Sequence, residues 1–313
     1  MSSVTLKKIK VFLMIDQLTR LKPWMLASRP RTLPICLAPI MVGTFLAFAI
    51  VQRIDWFLAT SSFLSVLFLQ IGTNLVNDAL DFPKGADTKE RLGPKRMTQA
   101  GLLSFKQTFR GGLICFGVAI LIGTPLMITG GWPFAAILFF STLCGYLYTG
   151  GPVPLAYYGL GELFIFIFYG LVAIPSAFYL QTKFVNQTIF IGAIQMGFLA
   201  MIPNAVNNLR DRQSDAKVDK KTLAVRFGTT FACWEITFFA IIPFIVGIAW
   251  WFVNQPYLTL FPLGSSPFAF RLIKTIWETK QGTSYQASFA QSILLIFSFG
   301  LLLAVACLMR IAE

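Results

Sequence analysis

Long apolar runs constrain this chain more than any motif does. A helix needs about 20 mostly apolar residues to cross a bilayer. Nine runs qualify: Leu33 to Val51, Trp56 to Val76, Gly111 to Ile128, Trp132 to Tyr148, Leu160 to Leu180, Thr188 to Val206, Thr230 to Phe252, Tyr257 to Trp277 and Ser288 to Met309. The eighth is the weakest, because Phe261-Pro262-Leu263-Gly264 and Pro267 interrupt it. The pattern predicts an all-α integral membrane protein with about nine transmembrane helices. Composition agrees: charged residues make up 12% of the 313 and AVILMFWYC residues 56%, where a soluble domain carries about 25% charged residues. A soluble single domain and an intrinsically disordered chain are both excluded. The first 32 residues hold only a poor apolar run from Val11 to Ile15 and no small-residue cleavage site, so no signal peptide is expected.

The basic residues predict an orientation. With the N-terminus in the cytoplasm and nine spans threaded, 23 of the 26 Lys and Arg residues fall on the cytoplasmic side, leaving Arg53, Lys183 and Arg310 outside. That is a strong positive-inside bias. The net charge of +13 therefore suits an anionic membrane surface, and no nucleic-acid partner is expected. His is absent, which excludes imidazole ligands and bases. Cys36, Cys115, Cys144, Cys233 and Cys307 all lie in apolar stretches and read as reduced packing residues.

Two long connections stand apart, Asp81 to Lys106 and Arg210 to Gly228. Counted with Asp78, they hold seven of the thirteen acids, and each follows the end of a span. Asn74 and Asn207 mark equivalent points 133 residues apart, which suggests a weak duplication within one domain, about 33–148 and 160–277. Asn207, Asp211, Asp215 and Asp219 recur at intervals of four, the spacing of one helix face. Like charges so placed repel, and a divalent cation reverses that sign. Carboxylates and amides are oxygen ligands that suit Mg²⁺. The first cluster, Asn74, Asn77, Asp78 and Asp81 with Asp87 beyond, has the same chemistry. Around the acids stand Lys84, Lys89, Arg91, Lys95 and Arg96 in one connection, and Arg210, Arg212, Lys217, Lys220, Lys221 and Arg226 in the other. Acids for Mg²⁺ beside cations for phosphate oxygens are what a diphosphate site requires. Glu162, at the start of the fifth run, is an acid at or inside the membrane boundary and hence a candidate site residue. The turn-rich segment before it brings Tyr148 to the cytoplasmic mouth.

These segments resemble the UbiA superfamily of membrane prenyltransferases, specifically its 1,4-dihydroxy-2-naphthoate branch in menaquinone synthesis. The resemblance rests on Ser28-Arg29-Pro30-Arg31-Thr32-Leu33, on Asn77-Asp78-Ala79-Leu80-Asp81-Phe82 with Gly85-Ala86-Asp87-Thr88, and on Arg91-Leu92-Gly93-Pro94-Lys95-Arg96. It continues through Tyr148-Thr149-Gly150-Gly151-Pro152, Gly159-Leu160-Gly161-Glu162, Asn207-Asn208-Leu209-Arg210-Asp211 and Lys221-Thr222-Leu223-Ala224-Val225-Arg226. It implies helices around a central cavity, capped on the cytoplasmic side by two Asp-rich loops that bind Mg²⁺-diphosphate. Asn74, Asp78 and Asp81 match the first motif, and Asn207, Asp211 and Asp215 the second; the choice between Asp81 and Asp87 for the first metal site stays open. Lys84, Arg91, Arg96, Asn77, Asn208, Arg210, Lys221 and Arg226 are implied substrate contacts, with Arg29, Tyr148 and Glu162 toward the acceptor. The implied substrates are a polyprenyl diphosphate and 1,4-dihydroxy-2-naphthoate, and the implied location is a bacterial cytoplasmic membrane. Other acceptors, 4-hydroxybenzoate or homogentisate, are the alternatives within the class. A secondary transporter is the rival outside it, disfavoured because the charges stand at the ends of spans and not at their middles.

Overall fold

The computed structural model describes residues 21–86, 92–280 and 285–309. The described residues contain helices and no strands. The principal helices are α1 (Leu33–Val51), α2 (Trp56–Asp81), α3 (Phe105–Gly130), α4 (Trp132–Leu147), α5 (Gly161–Thr182), α6 (Ile189–Lys217), α7 (Leu223–Gly247), α8 (Ser266–Glu278) and α9 (Gln286–Met309). Seven helical stretches are long and apolar enough to cross a membrane; α4 and α8 are shorter. The run around the eighth expected span is not one helix. It breaks into Pro256–Leu260, a 3₁₀ turn at Phe261–Ser265, and α8. Pro262 and Pro267 remove backbone donors there, and with Gly264 between them they favour the break.

Local chemistry sets several helix starts. Asp55 caps α2 by accepting the Leu58 N–H at 3.0 Å. Ser104 and Gln107 form a reciprocal capping box on α3. Thr222 accepts the Val225 N–H at the start of α7, and Gly228 (φ 89°) then kinks that helix. The apolar run beginning at Thr230 therefore matches the part of α7 beyond the kink. Two helices outrun their apolar segments. α2 continues to Asp81 and α6 to Lys217, so both acidic clusters ride on the last turns of helices. The second was expected to begin a loop; α6 instead carries Asn207, Asp211 and Asp215 on a regular helix. Asp219 leaves the series, in a left-handed turn (φ 55°) beyond the helix end.

α1 packs on α5 and α9, α6 on α7, and α2 on α3. The largest core joins α1 and α5–α9 through Ile174, Met196, Leu199, Ile236, Leu272 and Phe299, all under 2% exposed. α2 and α3 approach through glycine: a Cβ on Gly112 would stand 2.6 Å from Val76 Cγ2 and 3.0 Å from the Gly72 carbonyl oxygen. Small residues at such crossings are how helices pack where lipid removes the hydrophobic drive. The outward faces are apolar, with Ile114, Leu121 and Ile128 on α3 and Trp234, Phe238 and Ile245 on α7 strongly exposed. An apolar exterior around an internally packed bundle defines a multi-pass membrane protein.

Candidate functional site

At one end of the bundle the chain enters α1, leaves α2, leaves α4, enters α5, leaves α6 and enters α7. Their polar residues meet there. Asn74, one turn before Asp78, donates its amide to the Ser28 carbonyl (2.9 Å) and to Thr32 Oγ1 (3.4 Å), and accepts from Gln70 Nε2 (3.3 Å). Asn77 accepts from the Thr149 hydroxyl at 2.8 Å. Asp78 is 1% exposed, and its two oxygens accept the backbone N–H groups of Met97 and Thr98 at 3.1 and 3.2 Å. The carboxylate therefore shapes the segment after residue 92, while each oxygen keeps a further lone pair. Asp81 accepts from the Tyr157 hydroxyl at 3.0 Å. Lys84 donates to the Thr149 carbonyl. Its Nζ lies 4.4 Å from the Tyr157 ring centroid. Partial burial pulls the Lys84 ammonium below its ordinary pKa, and Asp81 opposes that shift.

On α6, Asn208 and Asn204 both donate to Glu162 Oε1, at 2.6 and 3.1 Å, and Tyr148 donates to Asn204 at 2.9 Å. Glu162 is 3% exposed. Arg210 grips Asp211 through two bonds of 2.7 and 2.6 Å, with its guanidinium so close to Gly93 that a Cβ there would stand 2.6 Å from it. Lys220 pairs with Asp215 at 3.3 Å, and the exposed Lys221 pairs with Asp219 at 3.3 Å. Arg226 ties α7 to the turn before it, donating to the carbonyls of Lys221 and Tyr158. Arg96 is half-buried in the turn leading to Met97. Arg29 takes a left-handed φ of 55° and lines the central cavity. Asp87, Lys89 and Arg91 lie outside the described residues.

Tyr157 joins the two clusters. Its hydroxyl is on Asp81, its carbonyl accepts the Lys221 N–H at 2.8 Å, and the Lys84 and Lys220 ammonium groups lie 4.4 and 5.8 Å from its ring. Cations over an aromatic face are attracted to it. Acids 133 residues apart thus share one neighbourhood through a residue in a short 3₁₀ turn, Leu155–Tyr158. Nothing in composition or spacing marks Tyr157. Asn204 and Gln70 carried a signal that went unused: each is a lone amide inside an apolar run, one helical turn before an Asn of the clusters.

Below this end lies a cavity of about 270 Å³. Arg29, Asn74, Asn77, Tyr148, Asn204 and Asn207 line its polar mouth; Val66, Leu126, Leu138, Phe164, Phe168 and Leu180 line its deeper walls. The donors about the mouth are all oxygen, the chemistry of a hard divalent cation. Among the described residues no three acids stand close enough together to hold an ion by themselves, so amide or substrate oxygens have to complete any such site. Asn74, Asn77 and Asn207 at the mouth fit that part.

The sequence profile of the UbiA prenyltransferase family matches residues 36–296. Curated proteins called 1,4-dihydroxy-2-naphthoate octaprenyltransferase are similar over about two thirds of the chain. The one from Haemophilus influenzae is 36% identical over 216 residues, covering 67% of this chain and 70% of that protein. The one from Bacillus subtilis is 37% identical over 205 residues, covering 66% and 65%. A 2-carboxy-1,4-naphthoquinone phytyltransferase from Synechocystis is 25% identical over 258 residues, covering 82% and 83%. Among solved structures, a UbiA homolog from Archaeoglobus fulgidus bound to DMAPP and Mg²⁺ has the same fold, with a TM-score of 0.64 at 17% identity over 92% of this chain and 98% of that one. The chain belongs to the UbiA prenyltransferase family.

The hub makes a prediction. Tyr157→Phe, which removes only the hydroxyl on Asp81, lowers stability by about 1 kcal/mol, and Tyr157→Ala lowers it by about 3 kcal/mol. Unfolding of purified protein in detergent measures both, and two variants as stable as the wild type would refute the joining role.

Proposed function

We propose that this protein transfers a polyprenyl group from an allylic diphosphate to 1,4-dihydroxy-2-naphthoate, releasing diphosphate and CO₂ and forming demethylmenaquinol. The observation that carries the reading is the two-part cavity, polar at the mouth and apolar below, which matches a diphosphate head on an isoprenoid tail. The names of the naphthoate prenyltransferase relatives support the acceptor.

In this reading Asn74, Asp78, Asp81, Asn207, Asp211 and Asp215 hold Mg²⁺, with Asp87 as the alternative in the first set. Bound Mg²⁺ supplies positive charge to the diphosphate as it leaves. Lys84, Arg91, Arg96, Arg210, Lys221 and Arg226 neutralise the remaining phosphate charge from the rim, and Asn77 and Asn208 orient the mouth. Arg210 and Lys220, which now hold Asp211 and Asp215, turn to phosphate oxygens when a cation takes the acids. The allylic C–O bond breaks with its electron pair leaving on diphosphate. The apolar walls keep water from the resulting carbocation. Arg29 pairs with the naphthoate carboxylate. The Tyr148 oxygen and Glu162 Oε2, which has no hydrogen-bond partner among the described residues, accept from the ring hydroxyls. The ring carbon bearing the carboxylate bonds to the allylic carbon. The bond to the carboxylate then breaks, CO₂ leaves, and its electron pair restores the aromatic ring.

The same reading takes α4 and the broken run Pro256–Glu278 as crossings, for nine in all, with the Asp clusters capping the cavity from the cytoplasm of a bacterial inner membrane. The duplication of about 33–148 and 160–277 within a single domain follows from the matching positions of α2 and α6.

Three measurements test these points. Allylic diphosphate and carboxyl-labelled dihydroxynaphthoate yield labelled CO₂ in equal amount to prenylated naphthoquinol; a product that keeps the label, or turnover only with 4-hydroxybenzoate, refutes the acceptor chemistry. Asp78→Asn and Asp211→Asn each lower kcat by about a hundredfold or more, and near-normal turnover in either removes that residue from the site. Single cysteines at Ser104 and Asn186 label from the cytoplasm and from outside respectively; cytoplasmic labelling of Asn186 shows the threading wrong.

A further inference from the structure

Below the mouth, a polar connection joins the α2 and α5 walls of the cavity. The Tyr169 hydroxyl on α5 donates to Gln70 Oε1 on α2, Gln70 donates to Asn74, and Asn74 is anchored on Ser28 and Thr32. All of these side chains but Ser28 line the cavity. The backbones of α2 and α5 come together mainly deeper, over Ala173–Thr182, so at the level of Tyr169 the hydrogen bond spans a gap.

The backbone holds Tyr169 in place. Over Phe166–Val172 the α5 helix widens to a π-helix, a rare form that recurs at functional sites. Pro175 follows; it lacks the N–H that would bond the Leu171 carbonyl and its ring crowds that group, which favours the wider turn. The widened stretch is pressed onto α6: a Cβ on Gly170 would stand 2.6 Å from the Ala193 carbonyl oxygen and 2.8 Å from Gly197 Cα. Breaking the Tyr169–Gln70 bond leaves two polar groups unpaired in an apolar wall, so the strut persists when a tail enters.

Its depth gives it a function. Gln70 is one helical turn below Asn74, about 6 Å. Ser62, near the floor, is about 18 Å below Asn74 and also lines the cavity. A diphosphate held at the mouth puts its first isoprene unit above the strut, and every longer tail has to pass it. We propose that the Tyr169–Gln70 strut is a specificity-determining contact for the donor, gripping the isoprenoid just behind its allylic head. This rests on the prenyl-transfer reading and adds residues to it. A five-carbon donor ends before it can pass the strut, whereas donors of two or more units all touch it once, whatever their length.

Dissociation constants of the purified protein, with Mg²⁺, for dimethylallyl, geranyl, farnesyl and geranylgeranyl diphosphates and for inorganic diphosphate test this. Tyr169→Ala weakens geranyl, farnesyl and geranylgeranyl diphosphates by one common factor of about ten, the worth of roughly two buried CH₂ groups. It leaves dimethylallyl and inorganic diphosphates unchanged, which also reports an intact fold. Tyr169→Phe keeps the ring, loses the bond and weakens the same three donors by a smaller common factor, about threefold; it decides the matter if the alanine variant does not fold. A penalty that grows with each added unit, an equal penalty on inorganic diphosphate, or no penalty on any donor overturns the strut. Wild-type protein that binds none of the prenyl donors overturns the prenyl-transfer reading itself.

Discussion

Charge at the edge of a low-dielectric slab is the constraint on which this structure turns. An acid at the end of a transmembrane helix has no water on its inner side, so it needs a partner or an ion. Four acids on the described helix ends have such partners: Asp78 two backbone N–H groups, Asp81 a phenol, Asp211 a guanidinium and Asp215 an ammonium. Arg210 is Asp211's neighbour on α6; the other partners come from segments after α2, between α4 and α5, and after α6. The requirement to compensate charge therefore draws separate connections together over one cavity mouth. The cost of the acids is structural, and it gathers polar groups at one end of the bundle.

The same pairing helps explain why the end of α2 is helical. The apolar runs stop near Val76 and Val206, and hydropathy alone ends the spans there. Asp78 steadies the last turns of α2 through bonds to Met97 and Thr98 that exist only once the following segment has folded back, while on α6 Leu209 stays in the core. That is a tertiary effect, invisible to a window of residues. The broken eighth span was legible because Pro and Gly act locally. Seven long helices were legible because length and apolarity suffice for them. The hub was not: Tyr157 does its work through its position in a turn, and only the fold places its ring beneath two lysines.

The candidate residues divide in the same way. Asn74, Asn77, Asn207, Tyr148 and Arg29 line the cavity. Arg226, equally basic, is occupied in tying α7 to the Tyr158 carbonyl, which gives it a structural duty whatever else it does. Spacing tells which residues share a helix face. It does not tell whether a cation on that face is turned toward the mouth or back onto the chain.

Compensation among the protein's own groups has a further consequence for binding. Arg210 and Lys220 satisfy Asp211 and Asp215 in this state, so the site carries counter-ions of its own before any substrate arrives. In the proposed reading, a divalent cation and a diphosphate entering together exchange partners with them: acids to metal, guanidinium and ammonium to phosphate. Either ligand alone makes only half of that exchange and strands charged side chains at a poorly solvated boundary. On that reading the ion pairs couple the entry of metal and diphosphate, and affinity for one rises with the other by the reciprocity that links any two ligands sharing a site. In the same reading the tail below contributes through apolar contacts with walls such as Val66, Leu126 and Leu138.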